Sequence, residues 1–241
     1  MKKDLSVIIL IVRNSFWWVI GSILLMLATE SFFFFMDINL VHGYVKSLGD
    51  FVDGKTIGLG LLFGTFPLMV LTSFGSDTNG KESYVLRRLC IPERKVWFWQ
   101  AIVHTGYYFL IYFVEAWLVI SLCRYYLVHN SVQPVDHQTI WMAITRNTFL
   151  SNLLPLQNPF RILRNLSLLL GIGLTSAPGI MTNRLGKSAY SGLQLLHLLA
   201  LLVFMINIKV WQLDLLVMII SLVLAGYSVY GVWKAGEKHG S

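Results

Sequence analysis

Long apolar runs decide what this chain can fold into. Six of them, at 15–36, 57–74, 97–123, 163–180, 191–208 and 213–233, approach or exceed the roughly 20 residues a helix needs to cross a hydrocarbon core. Lipid cannot satisfy backbone polar groups, so a spanning segment is a helix or part of a closed barrel, and barrel strands alternate polar with apolar residues. These runs do not alternate. The expected fold is an all-α integral membrane protein of about six transmembrane helices, one transmembrane domain over residues 1–241. With 56% hydrophobic and 13% charged residues, the chain has too few charges to cover a soluble globule, which excludes a soluble enzyme.

The basic residues set an expected orientation. Residues 75–96 carry Lys81, Arg87, Arg88, Arg94 and Lys95, and residues 181–190 carry Arg184 and Lys187. Placing these loops and both termini in the cytoplasm puts Lys2, Lys3, Arg13, Lys234 and Lys238 there too, a majority of the 19 Lys and Arg. Lys46, Lys55, Arg124, Arg146, Arg161, Arg164 and Lys209 fall outside. The net charge of +7 is thus explained by topology and anionic headgroups, and nucleic acid is not an expected partner.

Two segments are amphipathic without being spans. Residues 1–13 are expected to form an interfacial amino-terminal helix leading to the Trp17 and Trp18 pair, which suits headgroup depth. Their basic start imitates a secretory signal, but Arg13 and Asn14 interrupt it and no small-x-small site follows, so no cleavage is expected. Residues 125–162 are too polar to span. Ile140, Trp141, Ile144, Leu150, Leu153 and Leu154 can share one face of a helix on the outer surface, and an ordinary external loop fits equally.

Catalytic patterns are missing. There is no HExxH, no Gly-x-Ser-x-Gly elbow and no Cys/His cluster with ligand spacing. His104, His197 and His239 stand alone in sequence, so no metal site is expected. Gly179–Ser188 ends like a phosphate-binding loop, but six residues separate its first glycine from the Gly-Lys pair where four are required. No nucleotide is expected on this chain. Cys90 and Cys123 flank one long span, too far apart for a disulfide.

Two acids lie at costly depth. At 1.5 Å per residue, Glu30 is about 9 Å and Glu115 about 12 Å below the outer ends of their spans. Both should face protein or an aqueous path, with Arg124 or Arg161 as candidate partners. They are expected either to line a translocation path or to be hydrogen-bonded or protonated packing contacts. Gly60 with Gly64, and Gly171 with Thr175, form small-xxx-small pairs that allow close helix approach, and Pro67 and Pro178 are expected kinks.

The most informative connection reads SFGSDTNGKESYVLRRLCIPERKVWFWQ. A polar turn leads into a short helix-compatible stretch that Pro92 ends, offering apolar and basic side chains to a partner's groove, or else a solvated loop that touches anionic lipid. With the amphipathic start, the first hairpin, GKESYVLRRLCIPERKVWFWQA, RILRNLSLLLGIGL and TNRLGKSAY, the order of segments resembles the six-span permease subunits of bacterial type-2 ATP-binding-cassette exporters. The external segment is longer, and the connection between the fifth and sixth runs shorter, than in many of them. The resemblance implies a coupling helix at Glu82, Ser83, Tyr84, Val85, Leu86, Arg87 and Arg88 that contacts an ATPase. It also implies two ATPase copies holding ATP and Mg, a second permease, identical or not, and a bacterial plasma-membrane location. The implied cargo is an antimicrobial peptide such as a lantibiotic, a drug or a lipid. The rival readings are a proton-coupled secondary transporter using Glu30 and Glu115, a non-pumping immunity or scaffold protein, and an intramembrane enzyme.

Overall fold

A computed structural model describes residues 2–40, 92–130, 141–142, 145, 148–155, 158–184, 191–205 and 210–237. All regular structure among them is helical, in the order α1 (Lys2–Leu40), α2 (Glu93–Asn130), α3 (Thr148–Leu153), α4 (Pro159–Arg184), α5 (Ser191–Met205) and α6 (Trp211–Glu237). Three helices are long and apolar enough to cross a membrane, over Asp4–Met36, Arg94–His129 and Trp211–Lys234. Helix α4 has 26 residues, but Arg161, Arg164 and Asn165 in its first two turns lower its apolar character. The expected spans at 97–123, 163–180 and 213–233 lie inside α2, α4 and α6. The expected span at 57–74, Gly60 and Gly64, Pro67, Cys90 and the coupling stretch from Glu82 to Arg88 lie outside the described residues.

The expected interfacial segment at 1–13 and the first span form one continuous helix, α1. The cause is local: neither proline nor glycine occurs before Gly21, and Arg13 and Asn14 are compatible with helix. Val7 and Ile11 are buried against Val96 of α2, so this first portion packs on protein.

Helix starts follow capping chemistry. The Asn158 side-chain oxygen accepts from the Phe160 N–H at 3.1 Å, and Pro159 occupies the first helical position, where its missing N–H costs nothing. The Pro92 carbonyl accepts from Lys95 N–H at 2.9 Å as α2 begins.

Contacts between side chains give the direction of each helix. Ser15 meets Tyr107 and Phe34 meets Tyr125, so α1 and α2 run parallel. His104 meets Ser176 while Tyr112 meets Asn165, so α4 runs against α2. Arg164 with Asp214 and Ser167 with Ser221 rise in number together, so α6 runs parallel to α4. His197 on Tyr108 and Phe204 near Tyr112 align α5 with α2. The five long helices thus form an up-down bundle, with α1, α2 and α5 pointing one way and α4 and α6 the other.

Helix α4 sits innermost, touching α2, α5 and α6. Two glycines make this possible. A Cβ on Gly173 would collide with Thr105 of α2, including its Cα at 2.7 Å, and one on Gly171 would collide with the Ser221 hydroxyl of α6. Between lipid-solvated helices the gain is contact packing rather than water exclusion, so small residues that bring backbones together act directly on stability. Val19, Met26, Tyr108, Ile111, Leu168, Ile172, Leu196 and Val217 fill the space around them. Outward faces carry large exposed apolar residues such as Phe32, Phe113, Trp117, Leu222 and Val223, the arrangement expected of a surface solvated by lipid.

Candidate functional site

Two charged centres are enclosed in the bundle, one on each side of α2. The first joins α1 and α2. Glu30 is 1% and Glu115 0% exposed. Their carboxyls lie within hydrogen-bonding reach of one another, and no other described residue donates to any of the four oxygens. Each helix brings its acid inward through its own periodicity. On α2 the buried positions Gln100, His104, Tyr108, Ile111, Glu115 and Val119 recur at steps of three and four, one face of a helix. On α1 the corresponding face is Val19, Met26, Glu30 and Phe34. The Cys123 thiol lies on the same side, near Glu30. Phe34, Ala116, Val119 and Phe204 make the surroundings apolar.

The second centre lies at the start of α4, level with Tyr112 of α2. Arg164, with no exposed side-chain surface, donates from Nη1 to Asp214 Oδ1 at 2.5 Å, and from Nε at 3.1 Å and Nη2 at 2.9 Å to Asn165 Oδ1. Arg161 Nε stands 3.6 Å from the second Asp214 oxygen. The Asn165 amide donates to the Asn152 carbonyl at 2.8 Å and to the Tyr112 hydroxyl at 3.4 Å, and that hydroxyl donates in turn to the Leu153 carbonyl. The Asn152 amide donates to the Val203 carbonyl at 3.1 Å. One connected set of hydrogen bonds therefore ties α2, α3, α4, α5 and α6. All three guanidinium nitrogens of Arg164 have acceptors, the condition under which a buried charge is tolerated.

A smaller polar line lies toward the start of α1 and α2. His104 Nδ1 is 2.9 Å from Ser176 Oγ, Ser176 donates to the Gly173 carbonyl at 2.7 Å, and Tyr107 and Ser15 share a hydrogen bond of 2.5 Å. Among the described residues no acid is hydrogen-bonded to this His–Ser pair as the third group that orients a base for nucleophilic catalysis.

The two acids singled out by depth, Glu30 and Glu115, are thus brought together. Neither expected cation joins them. Arg124 is exposed, and Arg161 is placed on Asp214 because three helical positions separate it from Arg164, putting both on the face toward α6. Gly171 stands at the α4–α6 contact, and the Thr175 hydroxyl donates to the Gly171 carbonyl at 2.8 Å. Helix α4 continues through Pro178 to Arg184. Sequence reasoning missed Asp214, Asn165, Asn152 and Gly173. The available signal for Asp214 was an acid in the opening turn of the last apolar run, the only carboxylate of that run's first half, needing a basic partner at equal depth.

Chemically, the first centre can hold and exchange protons, and the second can fix helix positions through charge. Among the described residues no group of three His, Cys, Asp or Glu side chains could hold a metal ion. No protein-family model, no curated protein and no solved structure matches the chain.

Proposed function

We propose that the chain is a non-catalytic transport subunit of a bacterial plasma membrane: the permease of an exporter driven by separate ATPases. The observation that supports it is the enclosure of charge. Glu30, Glu115, Arg164 and Asp214 are buried among helices whose outer faces are apolar, a costly arrangement that a passive anchor does not require. Two such permeases would enclose a path for an amphipathic peptide, drug or lipid. ATP and Mg would bind two partner ATPase chains, whose closure would act on the Glu82–Arg88 stretch. Transport then amounts to a two-state bundle biased by nucleotide bound elsewhere.

The test is co-purification of the tagged full chain from its native membrane. An ATPase with nucleotide-binding motifs should accompany it, and changing Tyr84 and Arg87 together (Y84A/R87E) should break that association. A chain that purifies alone and moves no substrate when ATP is supplied refutes the reading. A second reading, a proton-coupled secondary transporter, is favoured by the facing carboxyls of Glu30 and Glu115. It requires substrate movement in sealed vesicles under a proton gradient without ATP. A chain that binds a peptide without moving it would be the immunity or scaffold protein.

A further inference from the structure

The α1–α2 seam has an unusual electrostatic composition. Two carboxyls on different helices face each other at full burial, and the described charged groups around them are committed elsewhere. From α4, Arg161 and Arg164 are held on Asp214 of α6. From α5, His197 packs on Tyr108, about two turns of α2 below Glu115. From α2 itself come the Cys123 thiol and the phenols of Tyr112 and Tyr126, none of them a cation, while α3 contributes no titratable side chain. Two ionised carboxylates at hydrogen-bonding separation, without a counter-charge, would repel in a medium where a single charge is already expensive. The same two groups with one proton between them form a short, strong O–H···O⁻ hydrogen bond.

We propose that Glu30 and Glu115 bind a proton jointly, and that α1 and α2 stay packed at this level only while that proton is present. Proton uptake closes the seam and proton release opens it. The orphaned oxygens at full burial point to the proton as ligand, since each carboxyl otherwise has only another acceptor opposite it. Helix α2 also supplies a route for delivery. Gln100, His104 and Tyr108 lie on the same buried face as Glu115, spaced about one turn apart, and lead from its start toward the pair. The proposal concerns the seam itself and holds whether the energy of transport comes from an ATPase or from a gradient.

The experiment uses the full chain in lipid nanodiscs and dicyclohexylcarbodiimide, which adds across its N=C bond only to carboxyls that carry a proton. Mass spectrometry at about pH 7 should place an adduct on Glu30 or Glu115, and labelling should fall about tenfold for each pH unit above the pair's ionisation. The variant E30Q/E115Q, which keeps shape and polarity without ionising, should elute like the parent. The parent's melting temperature should fall relative to this variant as the pH is raised, because ionisation of the pair removes the bond that holds the seam. Absence of an adduct at both positions overturns the shared proton. Parallel melting profiles of parent and variant overturn its control of packing. Loss of ATPase association or of transport, with labelling intact, bears only on the proposed function.

Discussion

Removing Asp214 should be the most damaging single change to the charge network, and more damaging than removing its main partner. In D214A the Arg164 guanidinium keeps only Asn165 Oδ1, at 3.1 and 2.9 Å, and stays fully buried with no counter-charge, while Arg161 loses the same carboxylate. Breaking a buried pair from one side costs about 3–5 kcal/mol. In R164M the Asp214 carboxylate remains, with Arg161 at 3.6 Å and 16% exposed, near enough to take over the pairing. That should hold the loss to roughly half as much. Replacing both, R164M/D214L, removes the charges together and should come within about 2 kcal/mol of the parent, because apolar isosteres of a buried pair are often near neutral. Reversible unfolding in mixed micelles, followed by circular dichroism, gives the three free energies. Equal losses for D214A and R164M, or a double variant no better than the sum of the singles, would refute the reasoning.

Other outcomes follow from packing. G173A should destabilise by about 1–3 kcal/mol, because the added Cβ meets Thr105 including its Cα, whereas G21A and G226A, with no atom within 4 Å of the new Cβ, should be neutral or stabilising by up to about 1 kcal/mol in the same unfolding assay. N165L should cost at least about 2 kcal/mol, since it removes the acceptor of two Arg164 hydrogen bonds and the donor to the Asn152 carbonyl; tryptophan fluorescence during unfolding measures it. R94A should cost no more than about 1 kcal/mol despite losing both its stack on Trp233, 4.6 Å from the ring centroid, and its hydrogen bond to the Trp233 carbonyl, because that contact is solvent-accessible; thermal scanning reads the difference.

Apolar run length was enough to locate the long helices, since the lipid requirement acts on each run separately. The depth of Glu30 and Glu115 was likewise a local property, read from the distance to a span end. Their partnership was not. It depends on the relative height of two helices, and nothing within either run sets that height. Arg161 went to Asp214 for the same reason: residues fifty positions apart meet only once α4 and α6 lie side by side and parallel. Gly173 escaped notice because small-residue spacing within one helix cannot say which face meets a neighbour, and its contact, Thr105, belongs to another run. The division of residues 1–13 from the first span rested on the polarity of Arg13 and Asn14, and polarity alone does not end a helix in a stretch without proline or glycine.

At 39 residues, α1 is about 58 Å long, against about 30 Å of hydrocarbon and at most about 45 Å with headgroups. Even a tilt of about 40° leaves it spanning about 45 Å along the membrane normal, so the rod must run well beyond the hydrocarbon core to the membrane surface. With Glu30 gripped near one end and no glycine or proline before Gly21, a swing at the pair is carried whole to the first turns. A rotation of about 5° about the pair would displace Asp4 by roughly 3 Å, turning a proton-sized event in the membrane into a shift that a neighbouring protein at the surface can feel.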